Sequence, residues 1–195
     1  GSEIVLKIFE DSRMLDFCTP IIFASIKTMS FVKKHYKIDI NLNGINHINQ
    51  AIIGRVNVLN CWKENVNITF GKEDKTIGEY AIKSLQQATT ALKNEEIDVL
   101  VTAPINKSSI QSETFKFPGH TDYLNQELEG NSLMFMVNGG LRVGLLTDHV
   151  PVKDIAKHIT TRLIEDKVNT VHESLIKDFK INKPKIAVLG INPHT

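Results

Sequence analysis

"TIGEYAIKSLQQATTALKNEEIDVLVTAP" (residues 76–104) contains both kinds of element from which the chain is built. Its first part places Ile77, Tyr80, Ala81, Leu85, Ala88 and Leu92 at helical spacing, so one apolar face recurs turn after turn. Residues 98–104 form a continuous apolar run, the pattern of a strand covered on both faces. Upstream, "PIIFAS" (20–25) is a short apolar run that leads into a helical stretch ending at Tyr36. "RVNVLNCW" (55–62) alternates as a strand does, and "NGINHINQ" (43–50) is a polar loop. "GSEIVLKIFED" opens the chain in a helical pattern, with Ile4, Val5, Ile8 and Phe9 on one side.

Downstream, "NSLMFMVNGGLRVGLLTDH" (131–149) reads as two strands joined at Asn138-Gly139-Gly140, a hairpin signal. Residues 151–179 form a long helical region interrupted near Thr160, and "KPKIAVLGINPH" (183–194) ends in another buried strand. Strands alternate with helices and one hairpin adds antiparallel pairing, so the expected class is α/β with a mixed sheet. There is no internal repeat and no low-complexity linker.

The 195 residues, 42% hydrophobic, suffice for one large or two small cores. With 23 basic and 22 acidic side chains the net charge is +1, which argues against a polybasic nucleic-acid binder. Lys33-Lys34 reads as a solvated helix face. Cys18 and Cys61 lack CxxC spacing, so neither a disulfide framework nor a zinc knuckle is expected, and a reducing cytoplasm is the natural setting. No apolar run approaches the roughly 20 residues of a membrane span, and the first residues have no signal-peptide layout. "INPHT" stops in what reads as a loop after a strand, so a fragment is expected, with Gly1-Ser2 either a cloning scar or native.

In open α/β sheets ligands collect at the carboxyl ends of strands. Three segments deliver polar residues there: "VTAPINK" leading to "FPGHTDYL" (117–124), "LLTDHVP", and "LGINPHT". Pro118-Gly119 makes a turn, and His120 and Thr121 then open a helix, where free N–H groups bind anions. That stretch fits a ligand-facing loop and also an ordinary start of a helix. His149 and His194 leave strands beside prolines, and neutral imidazoles on one rim can share a divalent metal. Two histidines do not complete such a site. A lone histidine at a strand end is more often a hydrogen-bonded loop residue. Lys107 can meet an anion, though alone such a lysine is more often a surface charge. His35, His158 and His172 sit in helical patterns and His47 in a loop. "NGGLRVG" departs from G-x-G-x-x-G and precedes a strand, so it is not a dinucleotide loop.

"LVTAPINK", "FPGHTDYL", "LLTDHVPVKDI" and "LGINPHT", in that order, resemble the 4-hydroxythreonine-4-phosphate dehydrogenase (PdxA) family of pyridoxal 5′-phosphate biosynthesis. "GSEIVLKIF" likewise resembles the helix that follows the family's opening glycine-rich strand and loop, which favours a native Gly1-Ser2. The resemblance implies an isocitrate/isopropylmalate dehydrogenase-like α/β/α fold. The 195 residues would be a fragment of a two-domain enzyme, internal boundary open, working as a homodimer with shared active sites. It implies that His120 and Thr121 bind the phosphorylated substrate. His149 and His194 would be two of three ligands to a divalent metal (Zn, Mg or Co), the third lying beyond Thr195. Asp122 stands where the family usually has Glu, and Asp148 where a small hydroxyl residue is common.

The implied reaction is oxidation of 4-phosphooxy-L-threonine at C3 by NAD or NADP. The β-keto acid formed decarboxylates to 3-amino-2-oxopropyl phosphate. Protonated, His120 would offset substrate charge while Thr121 donates a hydrogen bond. Alternatives are a paralogue acting on another phosphorylated four-carbon hydroxy acid, such as erythronate 4-phosphate, and a phosphotransacetylase-like acyltransferase. The 195 residues alone, lacking part of the inferred site, are expected to be inactive.

Overall fold

A computed structural model of the chain describes residues 1–112 and 115–190. The backbone divides into two compact units, Gly1–Glu129 and Gly130–Thr195.

The first unit is organised by a parallel sheet of β1 (Ile21–Ala24), β2 (Leu42–Ile45) and β3 (Val56–Asn60), with β3 in the middle. Because β3 is covered on both sides, Val56 to Leu59 are all buried, and the expected in-and-out alternation is absent. β2 lies in a segment read as a polar loop. Its Asn43 and Gly44 conceal a strand whose burial grows only toward Ile45, and a side chain at Gly44 would press on Ile26.

Asn57 is fully buried at the centre of β3. Its Nδ2 donates to the carbonyls of Pro20, Ile52 and Arg55, and its Oδ1 accepts from Asn43 Nδ2 at 2.8 Å and the Ile52 N–H at 3.0 Å. A buried amide is tolerable only when satisfied in this way. Asn60, at the other end of β3, accepts from the Ile26 N–H at 2.9 Å, and so caps α2 (Ile26–Tyr36), whose own N-cap Ser25 makes no side-chain cap. α2 turns Met29 and Val32 inward and stops at Lys37, which takes a left-handed φ of 55°.

α1 (Ser2–Ile8) forms as its periodicity predicts, but its inward residue is Leu6, fully buried, while Ile4 and Ile8 stay about half exposed. α3 (Lys75–Lys93) starts at Asp74, whose carboxylate accepts the Thr76 N–H at 2.8 Å. It buries Gly78, Ile82, Leu85, Ala88, Thr89 and Ala91, a face rotated from the expected one and including a glycine and a threonine that an apolar count passes over. α4 (Lys107–Ile110) and α5 (His120–Glu127) follow, packed through Ile110, Phe115 and Tyr123 against Ile82 and Leu85. Residues 98–104, expected as a buried strand, form no strand: Val99 is 69% and Val101 85% exposed.

In the second unit β4 (Phe135–Asn138) pairs antiparallel with β5 (Leu141–Gly144) across Gly139-Gly140, as the sequence predicts. Gly139 sits at φ 54°, the value a hairpin requires at its first turn position. Arg142 lies over the Phe179 ring at 4.6 Å, and a side chain at Gly144 would strike Val171 of α7 (Thr161–Lys177). The helical region breaks where expected: α6 (Ile155–His158) ends, and Thr160 caps α7 by accepting the Leu163 N–H at 3.1 Å. Residues 185–190, expected to begin the last strand, form none, and Leu189 is 86% exposed. Among the described residues the parallel and antiparallel pairings therefore fall in two separate sheets.

Candidate functional site

α4 is a single turn, too short to stand unaided, and side chains fix it from both sides. Asn106 caps it by accepting the Ser109 N–H at 3.0 Å. Asn106 Nδ2 also donates to Glu73 Oε1 at 3.1 Å, and the Ser108 hydroxyl is 2.8 Å from the same oxygen. These two bonds hold the Glu73 carboxyl below its usual value. From below, Gly78 lets α3 approach so closely that a Cβ there would sit 1.8 Å from the Ser109 carbonyl oxygen. Lys107 lies between Asn106 and Ser108 in sequence but runs elsewhere, its Cε 3.9 Å from where a Cβ of Gly119 would be.

Gly119 is the N-cap of α5 and supplies no side-chain cap, so His120 and Thr121 are the first residues of a helix whose opening N–H groups are met by no side chain among the described residues. The turn is held by an aromatic triangle in which Phe115, Phe117 and Tyr123 have centroids 5.2–5.4 Å apart. The far end of α5 is tied to α3 by Lys93 and Glu127 at 2.8 Å. Burial raises the Tyr123 phenol pKa, partly offset by its hydrogen bond with Thr89. Burial also lowers the His120 imidazole from 6.5, so the ring is neutral at pH 7 without a ligand. The protonated form, in which it would offset substrate charge, requires an anion to bring the proton back.

In the second unit His149 stands exposed on a bend between β5 and α6, with φ at 54° and Asp148 exposed before it. No hydrogen bond or ion pair engages its ring among the described residues, so both ring nitrogens are open to a cation, which fits a metal ligand. No group of three donors that would hold a metal is assembled among the described residues. His194 lies outside them. Gly139 and Gly140 belong to the hairpin turn, so the rejection of a dinucleotide loop there holds.

The other histidines have structural surroundings. His35 stacks on Phe70 at 3.9 Å, and His47 caps a 3-10 turn reciprocally with Gln50. His158 and His172 are exposed on α6 and α7. Cys18 and Cys61 are free thiols, and burial pushes the Cys61 thiol up to about 12.

The PdxA family, described as "Pyridoxal phosphate biosynthetic protein PdxA", matches residues 16–195. The chain belongs to the PdxA family. The 4-hydroxythreonine-4-phosphate dehydrogenase of Bacteroides thetaiotaomicron is 43% identical over 196 residues, covering 100% of this chain and 54% of that protein. The one from a Sulfurihydrogenibium species is 33% identical over 198 residues, covering 100% of this chain and 60% of that protein. The chain thus spans little more than half the length of these PdxA relatives. The crystal structure of the Burkholderia phymatum enzyme of that name superposes with a TM-score of 0.87 at 24% identity, over 99% of this chain and 59% of that one, a likeness of fold.

Sequence reading of this PdxA-family chain missed the Glu73–Asn106–Ser108 anchor and the contact at Gly78. Both had signals. Asn106 stands in a capping position three residues before Ser109, and a glycine inside a strong helical pattern marks a close approach.

Proposed function

We propose that the chain forms part of a 4-hydroxythreonine-4-phosphate dehydrogenase. In this reading the enzyme oxidises 4-phosphooxy-L-threonine at C3 with NAD(P), and the β-keto acid decarboxylates to 3-amino-2-oxopropyl phosphate, in pyridoxal 5′-phosphate biosynthesis. The observation that carries it is the delivery of His120 and Thr121, by the Pro118-Gly119 turn, to the opening of α5, in a chain with a 43% identical relative of that name.

His120 and Thr121 bind the phosphorylated end of the substrate. The Thr121 hydroxyl donates a hydrogen bond, and the neutral His120 takes up a proton as the anion arrives and then holds it against the phosphate oxygen. The aromatic triangle keeps both residues in place, so little ordering remains when substrate binds. His149 and His194 are two ligands of a divalent ion. Bound there, the ion would supply Lewis acidity to the substrate hydroxyl, and NAD(P)+ would accept the hydride. The enzyme acts in the cytoplasm as a homodimer whose active sites are shared between subunits.

The test uses the enzyme that contains this chain, with reduced-nicotinamide formation as the readout. Turnover should be greater with 4-phosphooxy-L-threonine than with erythronate 4-phosphate, and acetyl transfer to phosphate should be absent. His120→Ala and Thr121→Ala should raise KM, and His149→Ala and His194→Ala should lower metal content and turnover together. Preference for a different phosphorylated acid, or undiminished metal and activity in a His149 or His194 variant, refutes the assignment.

A further inference from the structure

Lys107 is held in an unusual way for an exposed lysine. The residues on either side of it, Asn106 and Ser108, are both engaged by the Glu73 carboxylate. Glu73 is therefore occupied by neutral donors, and no described carboxylate lies within ion-pair distance of Lys107. The backbone carrying it is fixed by the Asn106 cap and by the contact of α4 with Gly78. Its Cε lies 3.9 Å from where a Cβ of Gly119 would stand, which directs the ammonium toward the turn that presents His120. The chain has thus placed a cation on a rigid base, without a counter-ion among the described residues, and beside the turn that opens on His120.

We infer that Lys107 is a further substrate-binding residue, supplying the permanent positive charge that the phosphomonoester meets at the His120–Thr121 turn. The inference rests on the reading that this turn takes a phosphorylated substrate. A lysine ammonium is a compact point charge with three donors, suited to a phosphate that needs no planar partner. With His120 neutral before binding, Lys107 is a side chain that attracts the dianion without first gaining a proton.

The experiment is an equilibrium titration of the enzyme that contains this chain with 4-phosphooxy-L-threonine and, as control, 4-hydroxy-L-threonine. It compares wild type, Lys107→Gln, Lys107→Arg and His120→Ala, with melting midpoints recorded for each. Losing one charge-assisted contact at an exposed site should weaken binding of the phosphorylated probe by Lys107→Gln about tenfold, with the difference shrinking as salt rises. Lys107→Arg should bind within about threefold of wild type, because the charge is kept. The unphosphorylated probe and the melting midpoints should not respond. If wild type prefers the phosphorylated probe, His120→Ala weakens it and Lys107→Gln does not, this inference fails while the reading of the turn stands. Loss of binding in both Lys107 variants with lowered melting midpoints makes the residue structural and also overturns it. If wild type shows no preference for the phosphorylated probe, the reading of the turn fails and the inference with it.

Discussion

Gly78→Ala offers the sharpest test of how α4 is held, because two effects of opposite sign meet at one methyl group. In an exposed helix interior the change would stabilise by about 1 kcal/mol, since alanine is the better helix former. Here the new Cβ would lie 1.8 Å from the Ser109 carbonyl oxygen and 2.4 Å from its carbon. Real Cβ atoms do not approach within 3.0 Å, so α4 must withdraw by about 1.2 Å. The atoms struck are backbone, so no rotamer change relieves the overlap. Overpacking of this kind costs about 1–3 kcal/mol, and withdrawal also disturbs Ile110 and the Asn106–Glu73 bond. We expect a net loss near 2 kcal/mol, a fall in melting midpoint of about 4–8 °C for a chain of this size. Thermal and urea unfolding followed by circular dichroism measure it. Adding Ser109→Gly should give no rescue, since the clash is with the carbonyl. A Gly78→Ala protein as stable as wild type would show that α3 and α4 do not meet as described, and the fixed position argued for Lys107 would go with it.

Other outcomes follow from particular groups. Burial depresses the His120 pKa below 6.5, so the unfolded chain binds the extra proton first. The contribution of this residue is therefore complete above pH 6.5 and is lost as pH falls from there through the lower folded pKa. Melting midpoints of wild type should drop more steeply than those of His120→Asn over that window, and parallel curves would refute it. Asn57→Leu should destabilise by about 3–5 kcal/mol in urea unfolding, because it removes the acceptor of the Asn43 amide and the Ile52 N–H and the side-chain donor to the Arg55 carbonyl, while the carbonyls of Pro20 and Ile52 keep backbone donors. A maleimide or disulfide reagent should label Cys18 promptly in the native protein and Cys61 only after unfolding, since the latter is buried and its thiol is pushed up to about 12.

What the sequence made legible was local. The hairpin at Gly139-Gly140 and the break at Thr160 each depend on the φ angles or capping oxygen of one or two residues, and each stands where expected, while Pro118-Gly119 leads into α5 through a bend with Gly119 extended. Periodicity located α3 with its buried Leu85 and Ala88 but passed over Gly78 and Thr89, which are buried for packing and hydrogen-bonding reasons that hydrophobicity does not express. β2 was missed for a related cause. Its polar Asn43 is satisfied by Asn57, a residue that only the folded sheet brings beside it. Residues 98–104 erred the other way, since apolar composition alone does not supply a ladder partner. At the candidate site, His120 and Thr121 were readable from the turn chemistry before them. The ionisation of His120 was not, because it depends on a burial that only the folded chain sets.

The run Val99-Leu100-Val101 has one more implication, for how the protein behaves at high concentration. It is apolar, and its two β-branched side chains, Val99 and Val101, lie open to solvent. A segment of this kind offers its backbone to any similar segment that arrives, and two copies can begin a cross-β stack. Lysine in place of Val101 would put a charge in each layer of that stack and should keep concentrated, gently warmed samples clear where the parent chain turns cloudy.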